Sequence, residues 1–271
     1  MHALVEQGFT AVRIQTGIPG LPTGYGFGPG SDSIRYEPAQ AGDLPLEEFW
    51  EVGPYLRHMP AVFDAVRSTF GRDLDLLHDV HHRLTPNQAA RLGRSLEEYE
   101  PFWLEDMTPT EDPAAFRLIR QHTTVPLATG EIFNSLYDYQ SLFTEQLIDY
   151  ARSAVTHAGG LTAMRKILDF AAIYQIKSAI HGPTDISPVG FAAGLHLDLA
   201  VHNFGIQEYM QHAPTVREVF STDYRLIDGH FQLGERPGLG VTLDQQAAKR
   251  HPYRPAYLPV NRLLDGTMHD W

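Results

Sequence analysis

Three carboxylates recur at a fixed interval: Asp79, Glu105 and Glu131 stand 26 residues apart, each near the end of a strand-like run. That interval suits one strand–loop–helix–loop unit, since a barrel of about 250 residues made of eight such units spends roughly thirty residues on each. Acids placed once per unit at strand ends meet at the C-terminal mouth of a barrel, and three oxygen ligands suit a hard cation such as Mg2+. The pattern therefore specifies an α/β fold, a (β/α) barrel, and metal chemistry with it.

Local signals repeat with the same period. Strands are expected over 11–15, 73–79, 102–105, 125–130, 147–152, 175–181 and 204–208, and helices over 60–70, 85–98, 135–146, 161–174 and 187–202. Gly8 and Gly71 sit where helices should close, while Thr85-Pro86 and Asp112-Pro113 pair a capping side chain with proline at the first helical position. Seven barrel strands result, and the chain opens in what reads as the tail of a first helix, so the first strand is expected to be missing. Residues 1–212 are expected to form strands two to eight of the barrel. Residues 213–271 are expected to form a C-terminal appendage that packs back on it, with a hairpin around Asp228-Gly229.

Composition removes several classes. A net charge of −12 disfavours nucleic acid and anionic membrane as partners, and no apolar run approaches the length of a membrane span. Zero cysteines exclude disulfide and thiol chemistry. The N-terminus has neither a basic region nor a long apolar one, and a cytoplasmic protein is expected.

Side chains two apart on a strand share a face, so Asp79 and His81 should point together into the mouth and His78, Val80 and His82 away from it. His78-Asp79-Val80-His81-His82 taken alone is a polar strand end, or the start of a zinc site; alternation separates His81 from His82 and counts against zinc. With Glu105 and Glu131 in step, Asp79 reads as a metal ligand and His81 as an acid–base group beside the ion. Isolated, Glu105 or Asp106 would be a solvated strand-end acid and Glu131 a helix cap. Arg152, His181, Asp185 and Glu208 stand at later strand ends, where each could serve a loop salt bridge; together they suit a polyhydroxy acid. The glycine-rich stretch 22–28 lacks the Lys-Ser/Thr continuation of a phosphate loop.

Leu77-His78-Asp79-Val80-His81-His82, Phe102-Trp103-Leu104-Glu105-Asp106, Thr129-Gly130-Glu131-Ile132-Phe133-Asn134, His181-Gly182-Pro183-Thr184-Asp185 and Asn203-Phe204-Gly205-Ile206-Gln207-Glu208-Tyr209-Met210 together resemble the mannonate dehydratase subgroup of the enolase superfamily. The resemblance implies an enolase-superfamily barrel and Mg2+-assisted loss of water from an aldonic acid, D-mannonate giving 2-keto-3-deoxy-D-gluconate. It implies Asp79, Glu105 and Glu131 as metal ligands, Tyr25 as the base at the carbon next to the carboxylate with Arg13 beside it, and His81 as the acid for the departing 3-hydroxyl. Glu131, Arg152, His181, Asp185 and Glu208 would hold substrate. A free tyrosine titrates near 10, and an adjacent cation brings it toward neutrality.

Relatives of that subgroup carry an N-terminal capping domain and a first barrel strand, and neither is expected within these 271 residues. The open barrel edges favour association, so a homo-oligomer is expected. Pro183 stands where the subgroup has Ala or Pro, and Pro goes with weaker or broader activity on mannonate and gluconate. Rival readings are a dehydratase of D-gluconate or another aldonate, a non-catalytic homologue acting as regulator or metabolite binder, and a zinc hydrolase using the histidine-rich run.

Overall fold

The computed structural model describes residues 1–21, 47–253 and 260–269, together with the backbone of 37–38 and 256–257. The chain divides into two compact units, Ala11–Glu111 with Leu118–Val125 and Tyr253–Trp271, and Pro126–Pro252 with Met1–Thr10 and Asp112–Arg117. Tyr25 and the 22–28 stretch lie outside the described residues.

In the unit built on 11–111, three parallel strands lie side by side: Ala11–Arg13, Asp75–Asp79 and Trp103–Glu105. The central strand buries four consecutive residues, as a strand covered on both faces should. Its pleat sends His78 toward the Val52–Phe70 helix, where Tyr55 Oη lies 2.6 Å from His78 Nε2, and Asp79 the opposite way, toward Arg13.

That helix begins eight residues before the expected start at 60. Pro60 reads as a first-turn residue in the sequence, yet it sits inside the helix. The reason is the apolar face: Tyr55, Met59 and Phe63, at helical spacing, are all buried, and their packing outweighs the hydrogen bond that proline removes. Gly71 closes the helix as expected, with φ of 73°. Thr85 forms a full capping box with Gln88, and the helix it opens, Pro86–Leu96, ends in a 3-10 turn over 97–99. A Cβ on Gly93 would lie 2.7 Å from Thr123, so that close approach requires glycine.

The unit built on 126–252 has a second parallel run, Leu127–Thr129, Tyr150–Ala151 and Lys177–Ser178. Strand expectations here were too long at both ends. The clearest correction is 204–208, which makes a single bridge from Phe204 to Ser178. The N–H groups of Gly205 and Ile206 both aim at the Ser178 carbonyl, a bulged geometry that interrupts the ladder before the Glu208 N–H reaches the Ile180 carbonyl at 3.4 Å. Helices Leu161–Ile173 and Pro188–Ala200 fall where expected, the second capped by Ser187 with Pro188 first. The hairpin is present too: Arg225–Ile227 pairs with His230–Gln232 around Asp228 and Gly229, both at positive φ. Phe191 on the Pro188–Ala200 helix, Tyr209, Tyr224 and Phe231 pack ring against ring, which fixes the hairpin within this unit.

One core group in this unit carries a polar liability. Asp198, on the Pro188–Ala200 helix, is 8% exposed, and among the described residues neither carboxylate oxygen has a hydrogen-bond partner. Burial pushes its carboxyl up to about 8, against a smaller opposing influence from the nearby Ser178 hydroxyl. An unfolded chain releases this proton near pH 3.9. Protonated Asp198 therefore contributes stability fully below about pH 4, and that contribution is lost as pH rises through about 8. Replacing Asp198→Asn should match the parent in urea unfolding near pH 4 and exceed it at pH 9 by up to about 5 kcal/mol, the linkage of a shift from about 3.9 to about 8. An equal difference at both pH values would show that Asp198 is not protonated in the fold.

Candidate active site

Parallel register sets the acidic half of the site. Asp79 and Glu105 are direct partners across adjacent strands, each the last residue of its own. Both are buried, at 3% and 0% exposure. Arg13, at the end of the third strand of the unit, faces both: Nη1 is 3.4 Å from Asp79 Oδ2 and Nη2 is 3.9 Å from Glu105 Oε2. Trp103 Nε1 donates to Glu105 Oε2 at 3.0 Å, and the His81 main-chain N–H donates to Asp79 Oδ1 at 2.8 Å.

Asp106 joins this group, which the sequence reading did not anticipate. One ligand oxygen from each of Asp79, Glu105 and Asp106 lies within 4.8 Å of the others. Strand alternation would turn Asp106 away from Glu105, but its φ is 42°, and the left-handed backbone abolishes the alternation. The all-oxygen donor set and its burial fit a hard divalent cation.

The same departure corrects the reasoning for His81. The strand stops at Asp79, and His81 and His82 both adopt positive φ, 57° and 63°, so pleating no longer decides where they point. Such backbone costs of order 1–3 kcal/mol for each non-glycine residue and persists only where surroundings enforce it. Here the His82 N–H donates to the Asp106 carbonyl at 2.6 Å, and the His82 ring is buried 3.7 Å from Asp106 Oδ2. His81 itself is half-buried beside it.

The unit built on 126–252 assembles a different group. His181 Nε2 lies 3.1 Å from Glu131 Oε2 and 3.6 Å from Glu208 Oε2. Arg152, fully buried, donates from Nη2 to Glu208 Oε2 at 2.9 Å and from Nη1 to the Ala179 carbonyl at 3.1 Å. Glu208 also accepts from the Gly182 N–H at 3.0 Å. Burial alone would lower the His181 pKa; the charge of Glu208 and the hydrogen bond and charge of Glu131 outweigh it and raise the value above 6.5, with Arg152 opposing. His181 Nδ1 is buried and has no hydrogen-bond partner among the described residues. Asp185 is exposed on the turn before the Pro188–Ala200 helix. Four of the five expected substrate residues thus form one network, and Asp185 is not shown in it.

Residues 1–247 match the family described as enolase C-terminal domain-like, and the chain belongs to that family. A D-galactonate dehydratase family member of Pseudarthrobacter chlorophenolicus is 56% identical over 98% of this chain and 66% of its own length. A D-mannonate dehydratase of Caulobacter sp. strain K31 is 54% identical over 97% of this chain and 65% of its own length. An enolase from Pantoea ananatis, solved with bound D-gluconate and Mg, superposes with a TM-score of 0.86 at 30% identity, covering 99% of this chain and 66% of that one. The chain therefore spans about two thirds of the length of these relatives. Among the described residues, no helix is long and apolar enough to cross a membrane.

The Arg152–Glu208 pair makes a direct expectation about stability. Removing one member of a buried pair leaves the other charge uncompensated and typically costs about 3–5 kcal/mol, whereas replacing both by apolar groups is often near neutral. Arg152→Met should therefore lower the unfolding free energy by that amount in urea titrations, and adding Glu208→Leu should recover most of it. A cost under about 1 kcal/mol for Arg152→Met would contradict the pairing.

Proposed function

We propose that this chain carries the catalytic barrel of a Mg2+-dependent sugar-acid dehydratase that converts D-mannonate to 2-keto-3-deoxy-D-gluconate and water. The observation that carries the reading is the paired register of Asp79 and Glu105 at two strand ends, buried and faced by one arginine. Support comes from relatives named D-mannonate dehydratase at 53–55% identity. D-gluconate is the second candidate substrate, because the structure from Pantoea ananatis holds it together with Mg. A cytoplasmic homo-oligomer remains the expected setting.

In this reading Asp79, Glu105 and Glu131 would hold Mg2+. When bound, the ion would supply positive charge against the substrate carboxylate and so acidify the neighbouring C–H. Tyr25 takes that proton, with Arg13 assigned to the same catalytic group. His81 gives a proton to the 3-hydroxyl as it departs, so that water leaves and the enol product relaxes to the keto acid. Glu131, Arg152, His181, Asp185 and Glu208 orient the hydroxyl groups; the buried His181 Nδ1 suits such a contact. A positioned acid or base typically contributes about 10²–10⁴-fold.

Replacing His81→Asn tests the assignment. Asn cannot supply the proton, so release of water should fall by at least about 10²-fold. Mg2+ binding should persist, and exchange of the proton next to the carboxylate with solvent deuterium should continue through Tyr25. Dehydration at the parental rate in the His81→Asn protein would refute the role.

A further inference from the structure

The turn that carries His81 is held by residues far away in sequence. Arg83 follows the two left-handed residues and is buried at 6% exposure. Its carbonyl accepts a hydrogen bond from His269 Nε2 at 3.1 Å, across 186 residues of chain. Its guanidinium lies 4.9 Å from the centre of the Trp50 ring. Trp50 in turn stacks on His269, with ring centres 6.3 Å apart and planes 10° from parallel. Arg83, Trp50 and His269 thus close a ring of three contacts beside the turn.

Both outer members of that ring are anchored. Glu47–Phe49 pairs in parallel with Val260–Arg262, and the Trp50 N–H extends the pairing to the Arg262 carbonyl at 2.8 Å. The His269 N–H returns to the Asn261 carbonyl at 2.9 Å, which fixes the imidazole over Trp50. On the inner side Trp50 packs on Tyr55 at 4.4 Å, and Tyr55 reaches His78 one residue before Asp79. The C-terminal residues 260–269 are therefore tied to both ends of the 78–83 stretch.

We propose that His269, acting through Arg83 and Trp50, is a positioning residue that holds the 81–83 turn in its left-handed form and so aims the His81 imidazole. Part of this proposal rests on the acid role given to His81 above; the mechanical part does not. A turn with two consecutive non-glycine residues at positive φ relaxes unless its flanks are fixed. Arg83 is the residue through which the flank after His82 is fixed, because its main chain is held by His269 and its side chain by Trp50, which is itself bonded to Arg262 of the C-terminal segment. Arginine suits this place since a planar guanidinium stacks on indole in a way that a lysine ammonium does not.

The test uses the full chain carrying His269→Ala, His269→Gln or Arg83→Lys. Gln keeps an N–H that can reach the Arg83 carbonyl, and Lys keeps the charge without the planar stack. Hydrogen exchange of a peptide spanning 80–84 reports the His81 and His82 amides, which donate to Asp79 Oδ1 and to the Asp106 carbonyl. We expect exchange there to quicken by about 10-fold in His269→Ala and Arg83→Lys and to return toward the parental rate in His269→Gln, with the 86–96 helix unchanged. On an aldonate that the parent dehydrates, kcat should fall by about 10–100-fold in His269→Ala with KM within about 3-fold, and His269→Gln should recover most of it. Unchanged exchange over 80–84 in both His269→Ala and Arg83→Lys would overturn the proposal. So would faster exchange with an unaltered kcat. A parent without activity on any aldonate would refute the proposed function, while the exchange measurement would still decide whether His269 holds the turn.

Discussion

Asp79 and Glu105 stand opposite one another because two adjacent parallel strands end in register. Two unit negative charges about 4 Å apart repel by about 4 kcal/mol at the effective dielectric usual for protein sites, and burial adds the cost of lost hydration. A fold that places them so must gather positive charge and donors to the same spot. Arg13, the Trp103 indole and the His81 amide are those groups. A bound divalent cation would complete the neutralisation, and an all-oxygen donor set is what Mg2+ prefers.

The backbone around this pair bears the consequences. Three non-glycine residues at positive φ, His81, His82 and Asp106, lie at the ends of the two strands that carry the acids. Left-handed backbone lets polar groups turn back toward the carboxylates where continued pleating would carry them away. Farther out the same strands are apolar and buried, with Leu76 and Leu104 fully enclosed. The unit built on 126–252 repeats the arrangement in its own terms, with a fully buried Arg152 answering Glu208 and His181 between two glutamates.

Features that depend on local chemistry were legible in the sequence. Thr85-Pro86, Gly71 and Asp228-Gly229 each have a side-chain or φ requirement that few residues meet, and all three act as read. The 26-residue spacing likewise located acids at strand ends, because a repeated unit fixes spacing whatever its details. Pro60 misled because burial of Tyr55, Met59 and Phe63 overrides a local breaker. Asp106 was passed over because alternation holds only while a strand continues, and φ of 42° is not visible in residue types. The His269–Arg83–Trp50 ring was beyond reach for a simpler reason: nothing local in the sequence links residues so distant.

Under the proposed function, one ion would be shared by acids that recur once per barrel unit. A crystal structure of the chain grown with Mg2+ and D-mannonate tests it most directly. A single ion with carboxylate oxygens of Asp79, Glu105 and Glu131 at about 2.0–2.1 Å is the expected result. An ion held by Asp79, Glu105 and Asp106 with Glu131 outside its coordination sphere would contradict the proposed ligand set, as would no ion at these carboxylates at saturating Mg2+.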